Sequence, residues 1–216
     1  TMIIRLLNHP DLRKYDLSSL RNIGYGAAPM PVEVIRETVQ VFGPILTQNY
    51  GQTEAYMTIS FLPKEEHHLE GPESIRRRLA SVGRPYTFVE VRIVDDQGRD
   101  IRPGERGEII VRSEHVMQGY WKLPAETAEV LKEGWLYTGD VATVDEEGFI
   151  YLLDRKKDMI ISGGFNIYPR EVEEVLYTHP YVMEANPIHP APRGRLPIQG
   201  LLPRHTGPLA HAGTDF

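Results

Sequence analysis

Between Asn22 and Glu54 the chain reads as strand, glycine-rich turn, helix and strand, and no other stretch limits the fold as strongly. "NIGY" is a short strand, "GAAPMP" a turn, and "PVEVIRETVQVF" a helix with Pro31 near its first turn and Val32, Ile35 and Val39 on one face. The run "VFGPILTQ" then leads into "NYGQTE". This is an α/β unit. Past Phe88 the period changes. Val89, Val91 and Ile93 alternate, "DDQG" turns and "GEIIV" returns, which predicts a β-meander. A second hairpin, "VATVDEEGFIYLLD", turns at Asp145 to Gly148. A charged connector "DRKKD", the apolar "MIIS" and the turn "GGFN" follow. The next stretch, "YPREVEEVLYTHP", is a helix with Pro169 near its start, Glu171, Glu173 and Glu174 early in it, and Val172, Val175 and Leu176 inward.

Composition narrows the function classes. With 216 residues, 41% of them hydrophobic, the chain suits one larger or two smaller domains with a buried core. Lys+Arg 24 against Asp+Glu 30 leaves a net charge of -6, without the basic excess of a nucleic-acid footprint, so no nucleic-acid partner is expected. The absence of cysteine excludes disulfides, thiolate metal sites and a cysteine nucleophile, and fits a reducing compartment, with the cytoplasm expected. No apolar run approaches the roughly 20 residues of a membrane helix, so no transmembrane segment is expected. The start "TMIIRLLNHPDLRKYD" is interrupted by Pro10 and charges and does not read as a secretory signal. Thr1 ahead of Met2 suggests a chain cut from something longer.

"NYGQTE" gathers an amide, a phenol, a glycine, a hydroxyl and a carboxylate at the end of a strand. Gly51 permits a turn that lets backbone amides and the Thr53 hydroxyl approach an anion. Glu54 is a hard oxygen ligand suited to a Mg²⁺ that accompanies phosphates, and Tyr50 offers a flat face for a base. By itself, a six-residue motif reads first as a polar loop capping a strand, and other stretches must decide.

Three stretches in order, "GYGAAPMP", "NYGQTE" and "GWLYTGDVATVDEEGFIYLLDRKKDMIISGGFNIYPREVE", resemble the adenylate-forming (AMP-binding) superfamily of acyl-CoA synthetases, firefly luciferase and peptide-synthetase adenylation domains. The resemblance covers about residues 5 to 180, and the third stretch is similar to fatty-acyl and aryl-CoA ligases more than to the peptide-synthetase type. It implies two steps. A carboxylate attacks the α-phosphate of ATP to give an acyl-adenylate and pyrophosphate, and the thiol of CoA then displaces AMP. By resemblance, Gly26, Ala27 and Ala28 lie along the adenine and acyl pocket, Asn49 and Tyr50 at the adenine, Thr53 on the phosphate and Glu54 on Mg²⁺. Asp140 matches the aspartate that accepts hydrogen bonds from both ribose hydroxyls, and Arg155 the arginine on ribose or phosphate. Lys157 matches the hinge, and Gly163, Gly164 and Asn166 the loop reaching the CoA channel. Each has a plainer reading alongside: a strand-to-helix turn at "GAAPMP", a turn at Gly139-Asp140, a surface ion pair from Arg155 to Asp154 or Asp158, a solvated linker at "DRKKD", and a hairpin turn at "SGGFN". His67 and His68, beside Glu65, Glu66 and Glu70, read as a solvated loop before a metal site, and Trp121 and Trp135 as packing residues.

The resemblance implies a fold class of α/β plus a β-barrel-like subdomain, the later part of a large N-terminal domain, over residues 1–156. Residues 157–180 are expected to hold the hinge and the start of a small α+β C-terminal domain. Residues 181–216, with six prolines and four glycines and no lysine, read as an atypical tail unable to form the expected sheet, disordered or frame-shifted. The family's phosphate loop and final lysine have no counterpart here. The expected function is that of a fragment of a fatty-acyl-CoA synthetase taking a small-molecule carboxylic acid, ATP and CoA. The alternatives are an aryl-CoA ligase of the coumarate type or a catalytically inactive remnant, and the 216 residues by themselves are expected not to form acyl-CoA.

Overall fold

The structure is a computed structural model, and it describes residues 2–28, 30–56, 58–162, 165–179, 182–187 and 198–203, with side chains left undescribed at 161–162, 165–166, 183–187 and 198–203. Helix α1 (Met2–Leu7) leads to strand β1 (Ile23–Gly26), helix α2 (Val32–Phe42) and strands β2 (Leu46–Tyr50) and β3 (Ser60–Leu62). Helix α3 (Glu73–Arg76) and strands β4 (Arg84–Pro85), β5 (Glu90–Val94) and β6 (Gly107–Arg112) follow. Then come α4 (Pro124–Val130), β7 (Leu131–Lys132), β8 (Trp135–Val144), β9 (Ile150–Arg155), β10 (Ile160–Ser162) and β11 (Phe165–Ile167). Helix α5 (Pro169–Tyr177) and strands β12 (Val182–Pro187) and β13 (Ile198–Pro203) complete the described chain.

The α/β unit forms where the sequence places it. Pro31 caps α2, whose buried face carries Val34, Ile35, Thr38 and Val39, and Gly43 ends it at φ 83, where its N–H returns to the Val39 carbonyl. Helix α2 returns the chain to pair β2 parallel to β1, from Ile23 opposite Leu46 to Gly26 opposite Asn49. Strands β3 and β4 extend this sheet antiparallel. The meander is a second sheet in which β8 pairs with β6 on one side and with β7 and then β9 on the other. This sheet is open, and no closed barrel occurs among the described residues.

One core joins the two sheets. Tyr50, Ala55, Ile59 and Val82 from the first pack against Val89, Ile93, Ile109, Val111, Leu136, Ala142 and Ile150 from the second. Two backbone bonds stitch the same seam, Val82 N–H to the Ile150 carbonyl (2.8 Å) and Ile150 N–H to the Gly83 carbonyl (2.9 Å). The Asp145 turn is as expected, with Oδ1 accepting from the N–H groups of Glu147 and Phe149.

Four readings change. Val175 is 69% exposed, while α5 buries Tyr177, keeps Val172 and Leu176 half-buried, lies against β12 and β9, and lines a cavity with Arg170, Glu173 and Glu174. Trp121 is 86% exposed, while Trp135 packs under the Arg92 and Arg112 guanidinium groups. His67 is buried and hydrogen-bonded to the Tyr25 hydroxyl (3.0 Å) and the Pro63 carbonyl (3.0 Å), in place of a solvated loop. In the tail, β12 pairs with β13 antiparallel, with Pro187 opposite Ile198 and Val182 opposite Pro203. Both prolines sit at strand ends, where a missing N–H costs little, so this part of the tail forms a two-stranded sheet after all.

Strand β9 closes the second sheet at Arg155, and β10 and β11 pair only with each other. No helix among the described residues is long and apolar enough to cross a membrane.

Gly83 is the tightest point of the seam, at φ +79 with an added Cβ 1.9 Å from the Phe61 carbonyl oxygen. Gly83→Ala is expected to destabilise the chain by about 3 kcal/mol, through backbone strain and a forced shift of β3. Urea denaturation measures it, with Gly134→Ala, where an added Cβ meets nothing within 4 Å, as the comparison for a positive-φ glycine in open space.

Candidate nucleotide site

Strand β2 ends at Tyr50, whose ring joins the core while its hydroxyl crosses to β8 and donates to Asp140 Oδ2 at 2.6 Å. Asp140 stands opposite Arg155 of β9 in register, and Arg155 Nε lies 3.6 Å from Asp140 Oδ1. The Asp140 N–H donates to Thr138 Oγ1 (3.1 Å) and the Gly139 N–H to Glu108 Oε1 (3.0 Å), which fixes the irregular stretch of β8 that carries the acid. Burial raises the Asp140 pKa, with Glu108 and Asp154 adding to the rise and Tyr50 and Arg155 opposing it. The Tyr50 phenol is pushed well up, by burial first and then by Asp140.

Two adjoining cavities meet here. One, of about 700 Å³, is lined by Ala27, Gly51, Gln52, Thr53, Glu54, Thr138, Gly139, Arg155, Lys156 and Lys157. The other, of about 660 Å³, shares Ala27, Gly51, Gln52 and Arg155 and adds Gly26, Ala28, Gln48, Asn49, Tyr50, Asp140 and, from α5, Arg170, Glu173 and Glu174. The wall is small by necessity. A Cβ on Gly26 would lie 2.3 Å from the Asn49 carbonyl oxygen, and Ala27 holds φ 64, a left-handed conformation that strains any residue but glycine.

The structure therefore brings Gly26, Ala27, Ala28, Asn49, Tyr50, Thr53, Glu54, Asp140, Arg155 and Lys157 around one pair of cavities. Gly163 and Gly164 lie outside the described residues, and Asn166 sits on β11 opposite Ile161. The Tyr86 hydroxyl donates to the side-chain Oδ1 of Asn49 (2.6 Å). Arg155 pairs with Asp140, rather than with Asp154 or Asp158 as its plainer reading had it.

Other residues of the site have no local sequence signal. Tyr120 donates to Glu54 Oε1 at 2.8 Å. Gln48 is buried with its Oε1 unpartnered among the described residues. Lys156 bridges Asp96 (3.0 Å) and Glu108 (3.3 Å), which hold its ammonium charged. Helix α5 closes the second cavity: the Arg170 N–H donates to Asp154 Oδ2 (3.3 Å), Arg170 Nε lies 3.9 Å from Glu174, and Glu174 accepts from the Val32 N–H at the start of α2 (3.5 Å). Burial raises the pKa of both Glu173 and Glu174 and lowers that of Arg170.

Hard oxygens and a permanent cation around a cavity suit a magnesium–triphosphate. Glu54 could hold a Mg²⁺, which takes one or two carboxylates and completes its shell with phosphate and water, and the Thr53 hydroxyl could meet the phosphate. No cluster of three or more potential metal-ligating side chains occurs among the described residues.

The family described as AMP-binding enzyme matches residues 1–121. The chain belongs to that family of adenylate-forming enzymes. It is 46% identical over 184 residues to the medium/long-chain-fatty-acid–CoA ligase FadD8 of Mycobacterium tuberculosis, a match covering 85% of this chain and 31% of that protein. It is 43% identical over 182 residues to a feruloyl-CoA synthase of Amycolatopsis, covering 84% and 35%. Among solved structures, the amide bond synthetase McbA of Marinactinospora thermotolerans superposes with a TM-score of 0.78 at 41% identity, covering 91% of this chain and 38% of that one. The chain spans about a third of the length of the curated relatives it matches.

Asp140 also yields a stability test. Its pKa is raised in the folded chain, so the folded state binds the proton more tightly than the unfolded one. The contribution to stability is complete below the unfolded carboxyl value near 3.8 and is lost as the pH rises through the folded value. Asp140→Asn keeps an oxygen for Tyr50 and removes the buried charge. It is expected to melt above the native chain at neutral pH, with the gap closing on acidification. Melting curves across that range measure it, and a variant that melts lower at neutral pH would contradict it.

Proposed function

We propose that the chain forms the ribose-, cation- and hinge-bearing part of an ATP-dependent acyl-CoA synthetase acting on fatty acids. The observation that carries this reading is Asp140, partly buried, aimed by Tyr50 and set beside Arg155, in a cavity that adjoins the one lined by Thr53 and Glu54. In this reading Asp140 accepts from both ribose hydroxyls of ATP, and Gly26, Ala27 and Ala28 leave room for the flat adenine beside Asn49 and Tyr50. Glu54 and Thr53 hold the Mg²⁺ and the phosphate. Arg155 offsets negative charge as the substrate carboxylate attacks the α-phosphate and pyrophosphate leaves. The bound metal supplies Lewis-acid stabilisation of the phosphates. In the second half-reaction the CoA thiol attacks the acyl carbon, its proton passes to solvent and AMP leaves.

The same proposal assigns residues 1–156 to a large domain and places the hinge at Lys157, where backbone rotation would exchange the two half-reactions. It assigns Gly163, Gly164 and Asn166 to the CoA channel and the protein to the cytoplasm. A fatty acid is favoured by the likeness to FadD8. A hydroxycinnamate is the second reading, favoured by the feruloyl-CoA synthase at 43% identity.

Pyrophosphate release and CoA consumption test this, over medium- and long-chain fatty acids and ferulate. They are measured for the 216-residue chain and for residues 1–180 joined to the preceding and following parts of a fatty-acid–CoA ligase. Fatty-acid-dependent turnover by the joined chain is expected, with none from the 216 residues alone. Glu54→Gln should lower turnover by about 100-fold. Turnover on ferulate alone would select the aryl reading, and turnover untouched by Glu54→Gln would overturn the site.

A further inference from the structure

We propose that Tyr120 is a positioning residue for Glu54, holding its carboxylate toward the cation that the nucleotide carries; this rests on the nucleotide-site reading above. The phenol donates to Glu54 Oε1 at 2.8 Å across 66 positions of sequence, while Oε2 makes no hydrogen bond among the described residues. Glu54 lines the first cavity, so the oxygen left over is the one available to a cation there.

The segment carrying Tyr120 is itself tied in place. The Met117 N–H donates to the Glu54 carbonyl at 2.8 Å, which fixes the backbone of the glutamate from the same side. The Tyr120 N–H donates to Thr127 Oγ1 (2.9 Å), whose own proton goes to the Leu123 carbonyl (2.7 Å), anchoring the tyrosine to α4. At Gly119 the chain passes so close to Thr127 that an added Cβ would lie 2.8 Å from its Cγ2.

A glutamate on a short turn has several rotamers, and a lone carboxylate must be in one of them before the magnesium–nucleotide arrives. Pinning one oxygen removes that freedom and leaves the other lone pairs for the metal, as the hydrogen-bonding partners of ligands do in metal sites generally. A phenol is suited to the task, because it donates one proton to one oxygen and carries no charge that would compete with the cation.

A loop staple and a positioning residue differ in what they alter. A staple sets stability and affects nucleotide affinity equally with and without metal, whereas a positioning residue sets the gain in affinity that magnesium confers. The test is binding of a fluorescent methylanthraniloyl-ATP to the 216-residue chain in magnesium and in EDTA, with melting curves alongside. Tyr120→Phe is expected to reduce the magnesium gain about tenfold with affinity in EDTA unchanged. Glu54→Gln should abolish the gain, and Tyr120→Phe should then add nothing further in that background. If Tyr120→Phe does not melt cooperatively, Thr127→Val, which loosens the tyrosine's anchor, carries the test, and a smaller loss of the same kind is expected. A full magnesium gain in the folded variant, or an equal loss in EDTA, overturns the inference and leaves the nucleotide site standing. A native chain that binds the probe no better with magnesium overturns that reading of Glu54, and the inference with it.

Discussion

The hydrogen bond from the Tyr50 phenol to Asp140, 2.6 Å long and largely buried, is the contact on which the site depends. It joins the last residue of a strand in the α/β sheet to the middle of the longest strand of the antiparallel sheet. The apolar seam beneath it, from Ile59 and Val82 to Ile109 and Ile150, would hold two sheets together without it. What the phenol adds is orientation. A carboxylate that loses solvent is tolerated only when hydrogen-bonded, and one oxygen satisfied by Tyr50 leaves the other turned to Arg155.

Burial first, and then the acidic neighbours, disfavour the ionised form of that acid. Glu108, Asp154 and Asp140 crowd one end of the sheet, and Arg155, 58% exposed, offsets them only in part. Hydroxyl donors from a ligand would supply hydrogen bonds that the protein withholds, so the acid is least stable when the site is empty. The same division of labour recurs at Glu54, where one oxygen is bound by the protein and the other is left over. In both places a tyrosine distant in sequence orients a carboxylate and carries no charge of its own.

The α/β unit was legible because its signals are local: the apolar spacing of α2, Pro31 at its start, Gly43 at its end. The hairpin at Asp145 was legible for the same reason, as an acid and a glycine at fixed spacing. The residues gathered at the cavities were legible as motifs, since each lies at a strand end or turn with an unusual side-chain set. Tyr50 as the holder of Asp140 was not, because a bond across 90 positions leaves no local trace, and the same is true of Tyr120. Val175 was misread because helical spacing names an apolar face without saying which of its residues a neighbour covers, and here Val172 and Leu176 are half-buried while Val175 is exposed. The pairing of β12 with β13 was missed because prolines were weighed by number, when their position at strand ends decides.

We propose that Asp140, aimed by Tyr50, accepts from the hydroxyls of a ribose. Calorimetric titration of the chain with AMP and with 2′,3′-dideoxy-AMP tests it most directly, in the native protein and in Asp140→Asn. Hydrogen bonds to a charged acceptor are worth about 1.5–3 kcal/mol each, so the native chain should prefer AMP by roughly tenfold or more, with most of that preference lost in the variant. Equal binding of the two nucleotides by the native chain, or a preference that survives in Asp140→Asn, would contradict the account.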